Sequence, residues 1–188
     1  MARPRSDEKR SAILEAATNI IVAQGLGAPT ATIAKAAGVA NGSLFTYFET
    51  KAELFNQLYL ELKREMAAAA LKGIPENADL RGQMFHVWRN GTTWATTNHH
   101  KRRALAQLNV SEEITPETRV AGAKLMVGMT EMIEKCRSQG PLRKAPIGFL
   151  MALINAATEA TMDFMTQDPA HATKHCKTGF DAMWRMIG

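Results

Sequence analysis

Few residues in this chain are of the kinds that do chemistry, and the densest group lies in one run, "AGVANGSLFTYFETK", residues 37–51. Small polar side chains, Asn41 and Ser43 around Gly42, stand directly before Phe45, Thr46, Tyr47 and Phe48, and Lys51 closes the run. These types suit recognition rather than catalysis. A backbone of small residues approaches another surface closely. An asparagine amide donates and accepts at base edges or phosphates, and an aromatic edge meets a thymine methyl or a sugar. A tyrosine hydroxyl, or a lysine at the positive end of a helix, reaches a phosphate. Arg3, Arg5, Lys9 and Arg10 add a basic arm nearby.

Other chemistry is thin. The chain has no Walker loop, no H-E-x-x-H and no glycine-rich dinucleotide fingerprint, and no nucleophile–base pair can be argued from it. It is therefore expected to be no enzyme and to need no cofactor. His171 and His175 stand four apart beside Cys176, a spacing a metal accepts. A solvated surface pair is the better reading of them, and no metal site is expected. The run from His99 to Arg103 reads as a solvated helix start.

The elements that must position residues 37–51 are helices. Apolar positions Ile13, Ala16, Ala17, Ile20 and Ile21 repeat at helical spacing, which predicts a helix over 6–24 capped by Ser6. Pro29 suits the start of a short helix running to about Ala37, and Gly38 breaks it. A third helix is expected over 41–48, and Thr50 caps a long fourth one with Leu54, Leu58, Leu62 and Met66 on one face. Further helices are expected near 78–97, 100–109, 116–138, 147–167 and 169–187, punctuated by Gly73, Pro75, Gly140, Pro141, Pro146 and Pro169. Ala34 at the crossing point, Gly38 at the turn and the anchors Ile33, Val39 and Leu44 fit a helix-turn-helix, whose second helix enters a major groove. On spacing alone, an ordinary all-α fold with the aromatics as core fits as well.

A length of 188 residues allows one sizeable core or two small ones, and 46% hydrophobic content is that of a globular chain. The formal charge of +5 permits an anionic partner without requiring one. Cys136 and Cys176 are 40 residues apart with no C-x-x-C spacing, and no signal-peptide pattern or membrane-length apolar run is present. Reduced thiols, a cytoplasmic location and no membrane association are the expectation.

The stretch "ILEAATNIIVAQG … ATIAKAAGVANGSLFTYFETKAELF", about residues 10–55, resembles the TetR/AcrR family of bacterial transcriptional repressors. The resemblance implies an all-α fold with a three-helix DNA-binding domain over residues 1–50. A larger ligand-binding and dimerisation bundle follows over 51–188. It places groove-facing positions on Thr30, Ala31, Asn41, Gly42, Ser43, Phe45, Thr46 and Tyr47, with Lys51 as a phosphate clamp. Ala31 stands where the family often carries a polar or basic residue, so the first helix of the motif is expected to read little sequence. The strings "LYLELK" and "TMDF…DPA…GFDAMWR" are similar to a RamR-like, multidrug-responsive subgroup.

The family resemblance also implies a palindromic double-stranded operator, a homodimer through the last two helices and a small-molecule inducer. Ala156, Ala157 and Ala160 permit close helix contact, and Phe180, Met183, Trp184 and Ile187 form one stripe. Pocket candidates are Tyr59 and Lys63 on the connecting helix, Met84 and Trp88, Ile133 and Cys136, and Met151 and Ile154. The same spacing serves a plain core. Met151 and Ile154 stand where the subgroup implies an acid and an aromatic, so a different ligand is expected. Stacking on Tyr59 or Trp88 suits a flat or cationic ligand, whereas Lys63 opposes cations or binds an acid; both stay open. Two other readings are a DNA-binding protein of this fold that answers to a protein partner, and a small all-α enzyme using the same cavity.

Overall fold

The structure, a computed structural model, describes residues 3–188; the side chains of residues 3–6 and of Gln139 lie outside the description. Helix α1 begins at Arg3 and not at the expected residue 6, so Ser6 lies within it and does not cap it, and the side chains of the arm residues Arg3 and Arg5 lie outside the description. Ten α-helices and no strand occur among the described residues. They are α1 (Arg3–Gln24), α2 (Thr30–Ala36), α3 (Asn41–Leu44), α4 (Lys51–Leu71), α5 (Leu80–Thr97), α6 (His99–Asn109), α7 (Pro116–Lys124), α8 (Val127–Gln139), α9 (Ile147–Gln167) and α10 (Ala172–Ile187). A 3-10 turn, Pro169–His171, joins the last two. The helix expected over 116–138 is two helices, with Gly122 and Gly128 flanking the break and lowering helix propensity on both sides of it.

The chain forms two compact units, and each is discontinuous in sequence. The first takes residues up to Arg64 together with Asn98–Lys124; the second takes Glu65–Thr97 and Leu125–Gly188. The functional boundary expected at residue 50 is a different division. The first unit contains residues 1–50 and adds the start of α4, with α6 and α7.

In the first unit, α1 packs on α2 and α6, and α2 on α3. Ile13, Ala17 and Ile21 are buried along one face of α1, as their spacing requires. Gln107 and Asn56 tie 98–124 to the rest of this unit, and Arg119 braces that segment internally. The Gln107 amide donates to the Ile21 carbonyl at 3.2 Å. Asn56 on α4 donates from Nδ2 to the Glu113 carbonyl at 2.7 Å, and its Oδ1 accepts from the Thr115 N–H at 3.0 Å. Arg119 donates to the carbonyls of Asn109 and Ser111 at 2.8 and 2.7 Å.

The second unit holds a core built from α5, α8, α9 and α10, in which Trp88, Ile133, Leu150, Phe180 and Met183 meet. The Trp88 indole N–H donates to the Cys176 carbonyl at 3.0 Å, so its one polar atom is satisfied inside this core. Helices α9 and α10 approach closely at Gly179. A Cβ there would come 2.8 Å from Thr161 Cγ2 and closer still to Thr161 Oγ1.

Candidate nucleic-acid interface

The turn between α2 and α3 is built by Gly38, whose φ of +69° is open to glycine and costly for other residues. Its N–H bonds the Lys35 carbonyl at 3.2 Å and the Val39 N–H bonds the Ala34 carbonyl at 3.0 Å. This paired closure satisfies the last carbonyls of α2 and fixes the direction in which α3 leaves. Ala34 is buried where α2 touches its neighbours, and Ile33 and Leu44 are fully buried anchors on either side of the turn.

Helix α3 is shorter than the expected 41–48. Regular helix ends at Leu44, and the chain continues in tight turns. The Thr46 N–H bonds the Ser43 carbonyl at 3.2 Å and the Tyr47 N–H bonds the Leu44 carbonyl at 3.0 Å. The Thr46 hydroxyl donates to the same Ser43 carbonyl at 2.6 Å. Threonine beside two aromatics competes poorly for α-helix and accepts this winding through its own hydroxyl. The register survives the change. Leu44 and Phe48 point inward at 0% and 1% exposure, which assigns Phe48 to the core. Asn41, Gly42, Ser43, Thr46 and Phe45 remain exposed, and Tyr47 is half-buried.

Phe45 is the large apolar side chain in this row, 40% exposed and with no core role to account for it. On α2, Ala31 is exposed and Thr30 half-buried. The residues carried onto the groove by resemblance are thus all solvent-accessible, around an apolar anchor.

Lys51 opens α4 next to this surface. Thr50 caps the helix: its hydroxyl accepts from the Glu53 N–H at 3.0 Å, and the Glu53 carboxylate reaches back to the Glu49 N–H at 2.6 Å. The Lys51 ammonium lies 5.3 Å from the Phe55 ring centroid, a cation–π contact that restrains a flexible side chain at the helix start.

Arg10 belongs with these positioning residues rather than with a free basic arm. Its guanidinium donates to Gln57 at 3.0 Å and lies 5.7 Å from the Phe48 ring centroid. It thereby ties α1 to α4 over the residue that anchors the recognition turn. Sequence pattern read its charge; its partners are 38 and 47 positions away and leave no local signal.

The expected ligand residues divide between the two units. Met84, Trp88, Ile133, Cys136 and Ile154 are buried together in the second unit's core, and Met151 packs against them. Burial raises the Cys136 thiol pKa, so that thiol is an inert core group. Tyr59 and Lys63 belong to the first unit.

The stripe on α10 is also redistributed. Phe180, Met183 and Ile187 are buried within their own unit and Trp184 is partly buried, so these side chains do not await a partner. The apolar surface left open is on α9, with Phe149 at 55% and Phe164 at 57% exposure and Ala152, Ala156 and Ala160 exposed between them.

His171 and His175 both address Asp168, at 3.0 and 2.9 Å. These bonds, His175 first, hold the Asp168 carboxyl below the usual carboxylate range. No group of three or more metal-ligating side chains poised for an ion occurs among the described residues. No helix among them is long and apolar enough to cross a membrane.

Residues 13–58 match the family described as "Bacterial regulatory proteins, tetR family". The HTH-type transcriptional regulator YhgD of Bacillus subtilis (strain 168), itself uncharacterized, is 38% identical over 66 residues. The match spans about a third of the length of that curated relative, 35% of it and 35% of this chain. A tetR family transcription regulator from Shewanella sp. PV-4 superposes with a TM-score of 0.83 at 29% identity, over 94% of this chain and 96% of that one. A TetR family transcription regulator from Marinobacter aquaeolei VT8 shares the fold at 21% identity, with a TM-score of 0.81 over 97% and 96% of the two chains. These likenesses give no support to the narrower RamR-like subgroup.

Proposed function

We propose, from the match of residues 13–58 to the tetR family of bacterial regulatory proteins and from the shared fold, that the chain is a TetR-family repressor that binds a palindromic operator as a homodimer and leaves it when a small lipophilic molecule binds. The observation that carries this reading is the exposed row Asn41, Gly42, Ser43, Phe45 and Thr46 held over buried Leu44 and Phe48. Such a row has little reason to exist on a surface that meets only water. Asn41 and Ser43 read base edges, Phe45 meets a thymine methyl or sugar, and Tyr47 and Lys51 hold phosphates. The inducer acts by population shift: it favours a state in which the two reading heads no longer match successive major grooves.

The phosphate role of Lys51 is tested by salt. Lys51→Ala should weaken binding to all DNA sequences alike and lower the slope of log affinity against log salt by about one unit. An unchanged slope in fluorescence-anisotropy titrations would remove Lys51 from the interface.

The homodimer rests on the exposed face of α9. A dimer that reads successive major grooves must hold its reading helices about 34–36 Å apart, one turn of DNA. Ala156 lies in the middle of that face and is exposed, so a carboxylate fits there in the isolated chain. Ala156→Glu should yield a monomer in sedimentation velocity, with helical circular dichroism kept and operator affinity lost. A variant that still sediments as a dimer would place the interface elsewhere.

A further inference from the structure

The first unit carries two cations against one buried phenol, and neither has an ion-paired acid among the described residues. Tyr59 on α4 is buried, and among the described residues its hydroxyl makes no hydrogen bond. Lys63, one turn along, places its ammonium 5.5 Å from the Tyr59 ring centroid and has no carboxylate partner among the described residues. The acid two positions before it, Glu61, is taken by Arg64 at 2.5 Å. Across Tyr59, on α7, stands Arg119, whose field acts on the phenol and whose own donors go to two backbone carbonyls. Gly122, one turn further along α7, lets the Tyr59 ring in; a Cβ there would stand 2.7 Å from Tyr59 Cε1.

A buried or half-buried cation is stable when paired and costly when alone. Folded proteins supply the counter-charge from a nearby carboxylate, as Asp181 does in the second unit for Lys177 on its own helix and for Arg81 on α5. Here the chain supplies cation–π contact, backbone carbonyls and an idle phenol instead.

Resting on the ligand-release reading above, we infer that the Tyr59–Lys63–Arg119 cluster seats the head group of the inducer and that this head group is an organic anion, a lipophilic carboxylate. The Lys63 ammonium donates a charge-assisted hydrogen bond to it, and the Tyr59 hydroxyl donates a second. Arg119, fixed by its carbonyls, contributes field rather than contact. A cationic ligand meets two like charges at this place and is rejected, which decides the sign that the sequence leaves open.

Burial lowers the Lys63 pKa. The unfolded chain therefore holds this proton more tightly, and in the absence of ligand the Lys63 contribution to stability rises with pH between the lowered folded value and the ordinary lysine value. A bound carboxylate reverses that dependence.

The test uses the full chain with three ten-carbon probes: decanoate, decanol and decyltrimethylammonium. Without a probe, Lys63→Met should raise the thermal midpoint at pH 7 by about 2–4 °C, because it removes an unpaired cation. Decanoate should raise the wild-type midpoint and bind at least about tenfold more tightly than either other probe, a preference lost in Lys63→Met and kept in Lys63→Arg. A lower midpoint in Lys63→Met shows a cation already paired, and overturns the site. So does decanoate binding that is absent, insensitive to Lys63→Met or no tighter than binding of the ammonium probe. Decanoate binding through Lys63 that leaves operator affinity unchanged upholds the anion site and overturns the ligand-release reading. Operator release by decyltrimethylammonium does the reverse.

Discussion

Ser43→Glu should lower operator affinity by about a hundredfold or more while leaving the fold untouched. Ser43 sits in the exposed row, between Gly42 and the buried anchor Leu44. In the free protein a glutamate there reaches into water and disturbs no core contact, so the thermal midpoint should stay within a degree or two of wild type, as for other exposed surface changes. On the proposed reading, the same carboxylate would enter a groove walled by phosphates. Like charges brought together across an interface cost several kcal/mol, and each 1.4 kcal/mol is tenfold. The loss should extend to non-specific DNA, because the repulsion is read from backbone rather than base. Operator affinity within a factor of three of wild type, measured by anisotropy at fixed salt, would show that the Asn41–Ser43 surface does not enter the groove.

Gly179→Ala should destabilise the protein, although alanine is the better helix former. In an exposed helix interior this change gains about 0.5–1 kcal/mol through backbone entropy. At Gly179 the added methyl meets Thr161 on α9, 2.8 Å from Cγ2 and nearer still to Oγ1. Thr161 cannot easily turn aside: it is buried and its hydroxyl donates to the Ala157 carbonyl at 2.7 Å. Overpacking of this kind costs about 1–3 kcal/mol, or a fall of several degrees in the midpoint for a chain of this length. Thr161→Ala in the same molecule should restore most of the loss, and a double-mutant cycle isolates the contact. A midpoint that rises in Gly179→Ala alone would mean that α9 and α10 stand further apart than described.

The recognition turn was legible because its determinants are local. Gly38 supplies a positive φ, Ala34 a close crossing, and Ile33 and Leu44 the anchors, all within a dozen residues. The extent of α3 was not, since Phe45 to Phe48 keep an apolar register that a tight turn and a helix share. The α10 stripe illustrates a second limit. Periodicity shows that Phe180, Met183 and Ile187 share a face, but not whether that face meets the same chain or a copy; here it meets the same chain. Arg10 is a third case. A lysine- and arginine-rich start suggests a free arm, and only the fold reveals that this guanidinium lies between Gln57 and Phe48. The ties from Gln107 to Ile21 and from Asn56 to Glu113 span 86 and 57 positions and use common polar residues, so no pattern announces them.

Those ties bear on how such a gene can evolve. The chain enters the first unit twice and the second unit twice, with one passage inside α4 and the others near residues 97–98 and 124–125. No single splice point separates them. A recombination event that exchanged the first 64 codons would deliver α1 without the glutamine that bonds its Ile21 carbonyl, and α4 without the loop held by Asn56. On the proposed reading, new operator specificities are more accessible through point changes in the exposed row at 41–47 than through module shuffling. Residues 98–124 are expected to co-vary with α1 and α4 across lineages, as inherited parts of one reading head.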